Sequence, residues 1–194
     1  MRRLDLVVGP NGAGKTTFVT HFLAPLLPSS HFVNADEIAG KRWPDDPARH
    51  AYEAARVAAK TRAALVAAGE SFIAETVFSH PSKLELITAA QQAGYHVLLH
   101  VLMVPEDLAV ARVLFRVRAG GHGVPEEKIR ARYHRLWDNV RRAAAVADSA
   151  TFYDNSRDEG PQIVAERIAG MATGAVRWPA WTPGAVRGLG SFRR

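Results

Sequence analysis

Apolar, β-prone runs alternate with helix-period stretches along most of this chain. Residues 4–9 read as a strand and 15–26 as a helix. A second strand covers 31–36, and a long alanine-rich helix follows over 47–68, with Pro47 near its start. Strand 71–76 and helix 81–94 come next, the helix stopped by Gly94. Residues 96–104 are almost continuously apolar, as a central strand buried on both faces should be. Helical patterns fill 105–118 and 125–147 on either side of Gly120-Gly121-His122-Gly123. A fifth strand is predicted over 150–153 and a last helix over 161–171. The alternation predicts a three-layer α/β fold, with a mostly parallel five-stranded sheet and helices on both faces. Residues 1–173 form one domain in this reading. Residues 174–194, with four arginines and no acidic residue, read as a weakly ordered basic tail on which Trp178 and Trp181 can dock back.

Composition narrows the class. The chain has 194 residues, enough for one sizeable core. No apolar run reaches the ~18 residues of a membrane span, and no signal segment opens the chain. The absence of cysteine excludes disulfides, thiol catalysis and Cys-based zinc sites, and fits a reducing compartment. A soluble cytoplasmic protein with no membrane partner is expected. The net charge of +6 allows nucleic acid or small anions as partners. There is no lysine-rich block and no nucleic-acid motif, and the arginines cluster on a helical region, so a small polyanion fits better than a duplex.

The strongest chemical signal is Gly9-Pro10-Asn11-Gly12-Ala13-Gly14-Lys15-Thr16, which satisfies G-x-x-x-x-G-K-[ST] between a strand and a helix. Glycines let several backbone N–H groups turn toward one phosphate, and the following helix adds a favourable dipole. Lys15 is expected at the β/γ-phosphates of ATP and the Thr16 hydroxyl on Mg²⁺, with Thr17 beside it. The fold is therefore expected to be of the P-loop NTPase type.

Two acids close strands on the same rim. Asp36 ends Phe32-Val33-Asn34-Ala35-Asp36, and Glu75 ends Phe72-Ile73-Ala74-Glu75, followed by Thr76. In an open parallel sheet the carboxyl ends of the strands line the ligand crevice. Asp36 is the candidate general base, with Glu75 and Thr76 at the acceptor hydroxyl or the water shell of Mg²⁺. Glu37 is an alternative for the metal shell. The plainer alternative for both acids is helix capping or a solvated turn.

Residues 108–142 carry Arg112, Arg116, Arg118, Arg130, Arg132, Arg135, Arg141 and Arg142 around the glycine break. Arginines on a mobile helical lid, at about 112–140, can close over a γ-phosphate and exclude water. Arg116, Arg118 and Arg132 are candidate transition-state contacts, Arg112 an ATP contact and Arg135 an acceptor contact. An amphipathic helix pair with its charges in solvent is the competing reading. Asn155, in Tyr153-Asp154-Asn155-Ser156, is placed to meet the adenine edge, or else forms an ordinary turn.

Together the P-loop, Val33-Asn34-Ala35-Asp36, Phe72-Ile73-Ala74-Glu75-Thr76, Arg116-Val117-Arg118-Ala119-Gly120-Gly121-His122-Gly123-Val124-Pro125, Ile129-Arg130-Ala131-Arg132-Tyr133 and Tyr153-Asp154-Asn155-Ser156 resemble the zeta-toxin family of P-loop kinases over roughly residues 4–170. The resemblance implies a kinase that uses ATP and Mg²⁺ to phosphorylate a sugar hydroxyl of a UDP-N-acetyl-sugar. It implies Lys15 and Thr16 at the phosphates and metal, Asp36 as base, and Glu75 at the substrate. It implies one transition-state arginine from Arg116/Arg118 and one from Arg132/Arg135, and a small antitoxin protein as partner. The Gly-Gly-His lid departs from the best-known toxins. Rival readings are a kinase for a nucleoside, antibiotic or metabolite, an ATP-driven binding module, and nucleic-acid binding through the basic tail. An L-S-G-G-Q signature, which a transporter ATPase would carry, is absent.

Overall fold

The computed structural model describes residues 1–119 and 123–190. The predicted glycine break at Gly120, Gly121 and His122 lies outside the described residues. Its strands are β1 (Arg3–Val8), β2 (His31–Asn34), β3 (Phe72–Thr76), β4 (His96–Met103), β5 (Ser149–Asp154), β6 (Gln162–Ile168) and β7 (Met171–Thr173). They form one sheet in the order β2-β3-β1-β4-β5-β6-β7. The first five strands of that order are parallel, whereas β5–β6 and β6–β7 are antiparallel.

The sheet is thus mixed and seven-stranded, not the mostly parallel five-stranded one that the sequence pattern predicts. The helix expected over 161–171 is the β6–β7 hairpin. Its apolar residues mimic helical spacing because a register shift opposite Phe152/Tyr153 puts two consecutive residues of β6, Val164 and Ala165, into the core. The β-branched Ile163, Val164 and Ile168 favour the strand.

The helices are α1 (Lys15–Phe18), α2 (Ala35–Arg42), α3 (Ala51–Ala68), α4 (Ser82–Gln92), α5 (Glu106–Arg118), α6 (Glu126–Val146) and α7 (Gly184–Arg187). The helix predicted over 15–26 is regular only through Phe18. A π turn follows over Val19–Leu23 and a 3₁₀ turn over Ala24–Leu26, where Pro25 removes a donor. The second strand stops at Asn34 rather than Asp36, because Asn34 caps α2, a helix that the sequence pattern did not single out. Helix α6 buries Ile129, Tyr133, Leu136, Trp137, Val140, Ala143 and Ala144 along one stripe, at spacings of three and four. The Tyr133 hydroxyl donates to the Val104 carbonyl, fixing α6 at the end of β4.

Phe152 and Tyr153 alternate along β5 and face opposite sides of the sheet. Phe18 of α1 packs on Tyr153, and Trp178 packs edge-on against Phe152. Residues 174–190 lie against the body, with Val176, Trp178, Trp181, Ala185 and Leu189 on the core and Val186 fully buried. Arg187 donates to the carbonyls of Thr182 and Ala180. Among the described residues no helix is long and apolar enough to cross a membrane.

One charged group sits inside β1. Asp5 is fully buried, and Arg3 at 2.5 Å and His100 at 2.9 Å donate to its two oxygens. Burial pushes the Asp5 carboxyl up, but those two partners outweigh it and hold it below the ordinary carboxylate value. Pairing of this kind makes a charge tolerable between central strands.

Candidate functional site

The glycine loop between β1 and α1 is dictated by backbone sterics. Gly9, Gly12 and Gly14 have φ of 152°, 77° and 81°. A Cβ at Gly12 would stand 2.4 Å from the Ala109 carbonyl oxygen, and one at Gly9 2.3 Å from that of Leu102. The loop therefore passes against β4 and α5 closer than any side chain allows. Gly12→Ala is expected to lower unfolding stability by about 1–3 kcal/mol, as overpacking does, which urea titration followed by circular dichroism would read.

Lys15, only 7% exposed, folds back so that its ammonium donates to the Pro10 carbonyl at 2.9 Å. Burial pulls its pKa below the ordinary lysine value. The carboxylates of Glu75 and Asp36 act against that pull, and the positive charge of Arg116 adds to it. Four charged groups from β1–α1, α2, β3 and α5 thus converge on one place at the carboxyl ends of the strands.

Glu75 is the centre of a side-chain network. The Thr16 hydroxyl donates to its Oε2 at 2.8 Å, and Asn34 Nδ2 donates to the same oxygen at 2.7 Å. The other side of the Asn34 amide accepts from the backbone N–H of Asp36 at 2.7 Å, capping α2. Asn34 is therefore the residue that holds both acids in register, and it did not figure among the sequence candidates. An asparagine directly before a helix that opens with acidic residues is the available signal. Asp36 itself is exposed in the first turn of α2, with its carboxylate free of protein partners among the described residues.

Burial raises the pKa of Glu75 above the ordinary value, and Asp36 pushes it the same way, against the lowering effects of Lys15, Thr16 and Asn34. A raised acid is a stability penalty when ionised: its contribution is full below the unfolded-state pKa of 4.5 and is lost as pH rises through the folded-state pKa. Glu75→Gln is accordingly expected to raise the melting temperature of the ligand-free protein at pH 7. That advantage should shrink toward zero as the pH falls to 4.5. Melting curves of both proteins across that range check it, and a constant difference would rule the linkage out.

Beyond the loop, Asn155 Nδ2 donates to the Ala13 carbonyl at 2.8 Å, and Arg112 donates to the Asn155 carbonyl at 2.9 Å. Asn155 thereby locks the loop after β5 onto the P-loop, and a Cβ at Gly14 would collide with it at 2.7 Å. Thr76, at the end of β3, accepts from the N–H of Phe78, whose φ of 65° is strained for an aromatic residue. Asn139 of α6 holds that corner by donating to the Phe78 carbonyl at 3.1 Å.

The arginine candidates separate. Arg116 is exposed, yet of these arginines it is the one in α5 whose charge reaches Lys15. Arg118 and Arg135 are exposed and Arg132 half-buried; none makes a hydrogen bond or ion pair among the described residues. Arg130 binds Glu106, Asp107 and Glu126 and so ties α6 to α5. Thr17 is exposed next to Thr16, and Pro10 is buried.

A cavity of about 510 Å³ opens elsewhere, lined by Glu106, Tyr133, His134, Trp137, Trp181 and Pro183 among others, with no P-loop residue in its wall. No group of three His, Cys, Asp or Glu that could cage a metal occurs among the described residues. Mg²⁺ needs no such cage. It takes one or two protein oxygens and completes its shell with phosphates and water. The adjacent Thr16 hydroxyl and Glu75 carboxylate fit that demand.

The sequence profile of the AAA domain family matches residues 4–137, from the first strand through most of α6. The chain belongs to that family. No curated protein matches this AAA domain. Among solved structures it is similar to the AvrRxo1-ORF1:-ORF2 complex with ATP (15% identity, TM-score 0.70), covering 89% of this chain and 60% of that one. It is also similar to the PezAT chromosomal toxin–antitoxin system of Streptococcus pneumoniae (17%, 0.66), covering 86% and 71%. The shikimate kinase of Acinetobacter baumannii in complex with shikimate follows at 20% and 0.52, covering 74% and 80%. At such identities the likeness is one of fold, and this AAA domain has the α/β fold of P-loop kinases. It spans 60% of the matched chain in the AvrRxo1 complex.

Proposed function

We propose that this AAA domain is an ATP- and Mg²⁺-dependent small-molecule kinase of the zeta-toxin type, transferring the γ-phosphate to a hydroxyl of a UDP-N-acetyl-sugar-like acceptor. The observation that carries the reading is the convergence of Lys15, Thr16, Asp36 and Glu75 at the carboxyl ends of β1, β2 and β3. A P-loop alone binds nucleotide. A free carboxylate beside it adds the means to take a proton from an attacking hydroxyl.

In this reading the backbone N–H groups of 12–16 hold the phosphates, and Lys15 leaves the Pro10 carbonyl to neutralise charge between the β- and γ-groups. Thr16 and Glu75 hold Mg²⁺, which when bound neutralises the phosphate oxygens. Asp36 orients the acceptor hydroxyl and accepts its proton as the oxygen attacks phosphorus and ADP leaves. Arg116 completes the charge around the transferred group, with Arg118, Arg132 and Arg135 brought in by closure of the α5–α6 lid. Arg112 and Asn155 flank the nucleotide. A small antitoxin protein that covers the rim is the partner this reading expects, and the reducing cytoplasm its compartment.

The test is to incubate the protein with ATP, Mg²⁺ and a panel of UDP-sugars, nucleosides and aminoglycosides, with Lys15→Ala as control. Mass spectrometry should find one added phosphate on UDP-N-acetylglucosamine, lost in the variant. A product from another acceptor alone would keep the kinase and discard the sugar. ADP without phosphorylated acceptor would move the reading to an ATPase module.

A further inference from the structure

Helix α3 turns Ala54, Ala58 and Arg62 to the interior at spacings of four. Two alanines are what close packing requires; an arginine in the same stripe needs another reason. Arg62 is 6% exposed, yet it makes no hydrogen bond, ion pair or ring contact among the described residues. A guanidinium carries five donors, and buried charges are ordinarily paired. Its nitrogens are not sealed in. Among the described residues the buried, unpartnered side-chain polar atoms are Asn11 Oδ1, Trp137 Nε1, Arg167 Nε, Trp178 Nε1 and Thr182 Oγ1, and none belongs to Arg62. The donors are thus shielded but reachable.

Helix α3 packs against α4, and the charge that Arg62 acts on there is another cation. Lys83, in the first turn of α4, is pushed below the ordinary lysine pKa by burial and then by Arg62. Burial alone lowers Arg62, with no carboxylate acting on either group. Glu85, the acid of that turn, is exposed. The first N–H groups of α4 are occupied by His80 and Pro81, which leaves the two side chains as the free donors. Two neighbouring cations without a counter-ion, on a shielded but open spot, are arranged for an anion.

Position says which anion. Lys83 stands in the first turn of α4, which follows the carboxyl end of β3, the end that carries Glu75 and Thr76, and Arg62 reaches it from the middle of α3. Arg112 and Asn155, on the proposed nucleotide side, lie across the P-loop beside β5. Neither Arg62 nor Lys83 acts on Lys15. We infer that Arg62 and Lys83 form an anion subsite that takes a phosphate group carried by the acceptor, remote from the hydroxyl that is phosphorylated. The inference rests on the proposed kinase reading for the side on which the acceptor lies, and it restricts the acceptor to phosphate-bearing molecules.

Binding tests it without catalysis. The P-loop is first filled with a non-hydrolysable ATP analogue and Mg²⁺. Melting temperature is then followed against uridine diphosphate, inorganic pyrophosphate or inorganic phosphate, for the native chain, Arg62→Gln and Lys83→Ala. Lys83 is half-exposed, so its variant keeps the test open should Arg62→Gln not fold. Expected is a saturable rise with uridine diphosphate and pyrophosphate, with apparent affinity weakened ~10-fold in either variant. No rise in the native chain, or an equal rise in both variants, would overturn the subsite. An equal response to inorganic phosphate would mark a free-anion site and overturn the assignment to the acceptor. A chain that binds in this way yet phosphorylates nothing would refute the kinase reading while leaving the anion site in place.

Discussion

Lys15→Ala is expected to reduce ATP-dependent phosphoryl transfer by at least ~10²–10³-fold, the cost of removing one preorganised charge from a developing oxyanion. Lys15 is the one P-loop side chain whose cation is both buried and surrounded by the two rim acids. Burial already disfavours its charge, so the protein holds that ammonium in place at a cost that bound phosphate would offset. The stability effect should be far smaller than the catalytic one. Alanine removes a desolvated cation, but it also takes from Glu75 the neighbour that most opposes the effect of its burial. Single-turnover transfer and melting temperature, measured side by side at pH 7, separate the two. Transfer within ~10-fold of native would mean that Lys15 only braces the Pro10 carbonyl. Lys15→Arg should not rescue, because a planar fork cannot occupy the place of a compact ammonium.

Asp36→Asn is expected to spare ATP binding and to suppress transfer by ~10²–10⁴-fold, as for a lost general base. The substitution is isosteric. The residue's own N–H is what bonds to Asn34, so the cap of α2 survives it. A decrease in the maximal rate with unchanged nucleotide affinity is the outcome that supports the base. If transfer persists, Asp36 is a first-turn acid complementing the α2 dipole, and the variant should instead lose about 0.3–1 kcal/mol of stability.

Much of the fold was legible because several elements carry redundant signals. In β4 six apolar residues out of eight left little choice, and the P-loop fixed its own strand–turn–helix context. The failures share a cause: local patterns that tertiary pairing overrides. Val164 and Ala165 are neighbours in sequence and both buried, which reads as a helical face unless the shifted register against β5 is known. The π turn after Phe18 leaves no mark in composition, and neither do the contacts of Phe18 with His100 and Tyr153 just before it. In the site, chain spacing could place Lys15, Thr16, Asp36 and Glu75 on one rim because parallel strands end there together. It could not show that Asn34 joins Thr16's partner to α2. It also could not rank the arginines, since which of Arg116, Arg118, Arg132 and Arg135 approaches Lys15 depends on how α5 and α6 lie. Arg62 was invisible for a similar reason: an arginine in an alanine-rich helix looks solvated until the stripe it shares is known to face inward.

The single amide of Asn34 has a consequence for how such a protein ages. Its nitrogen must donate to Glu75 while its oxygen accepts from α2, so neither orientation nor chemistry has slack. Asparagine is among the chemically labile residues. Its hydrolysis to aspartate would set a second carboxylate against Glu75, 2.7 Å away, where a donor had been. No residue of the phosphate loop would change, yet the rim would be forced open or made to take up a proton. Loss of activity on storage, with a mass increase of about one dalton confined to one peptide, would be the visible trace.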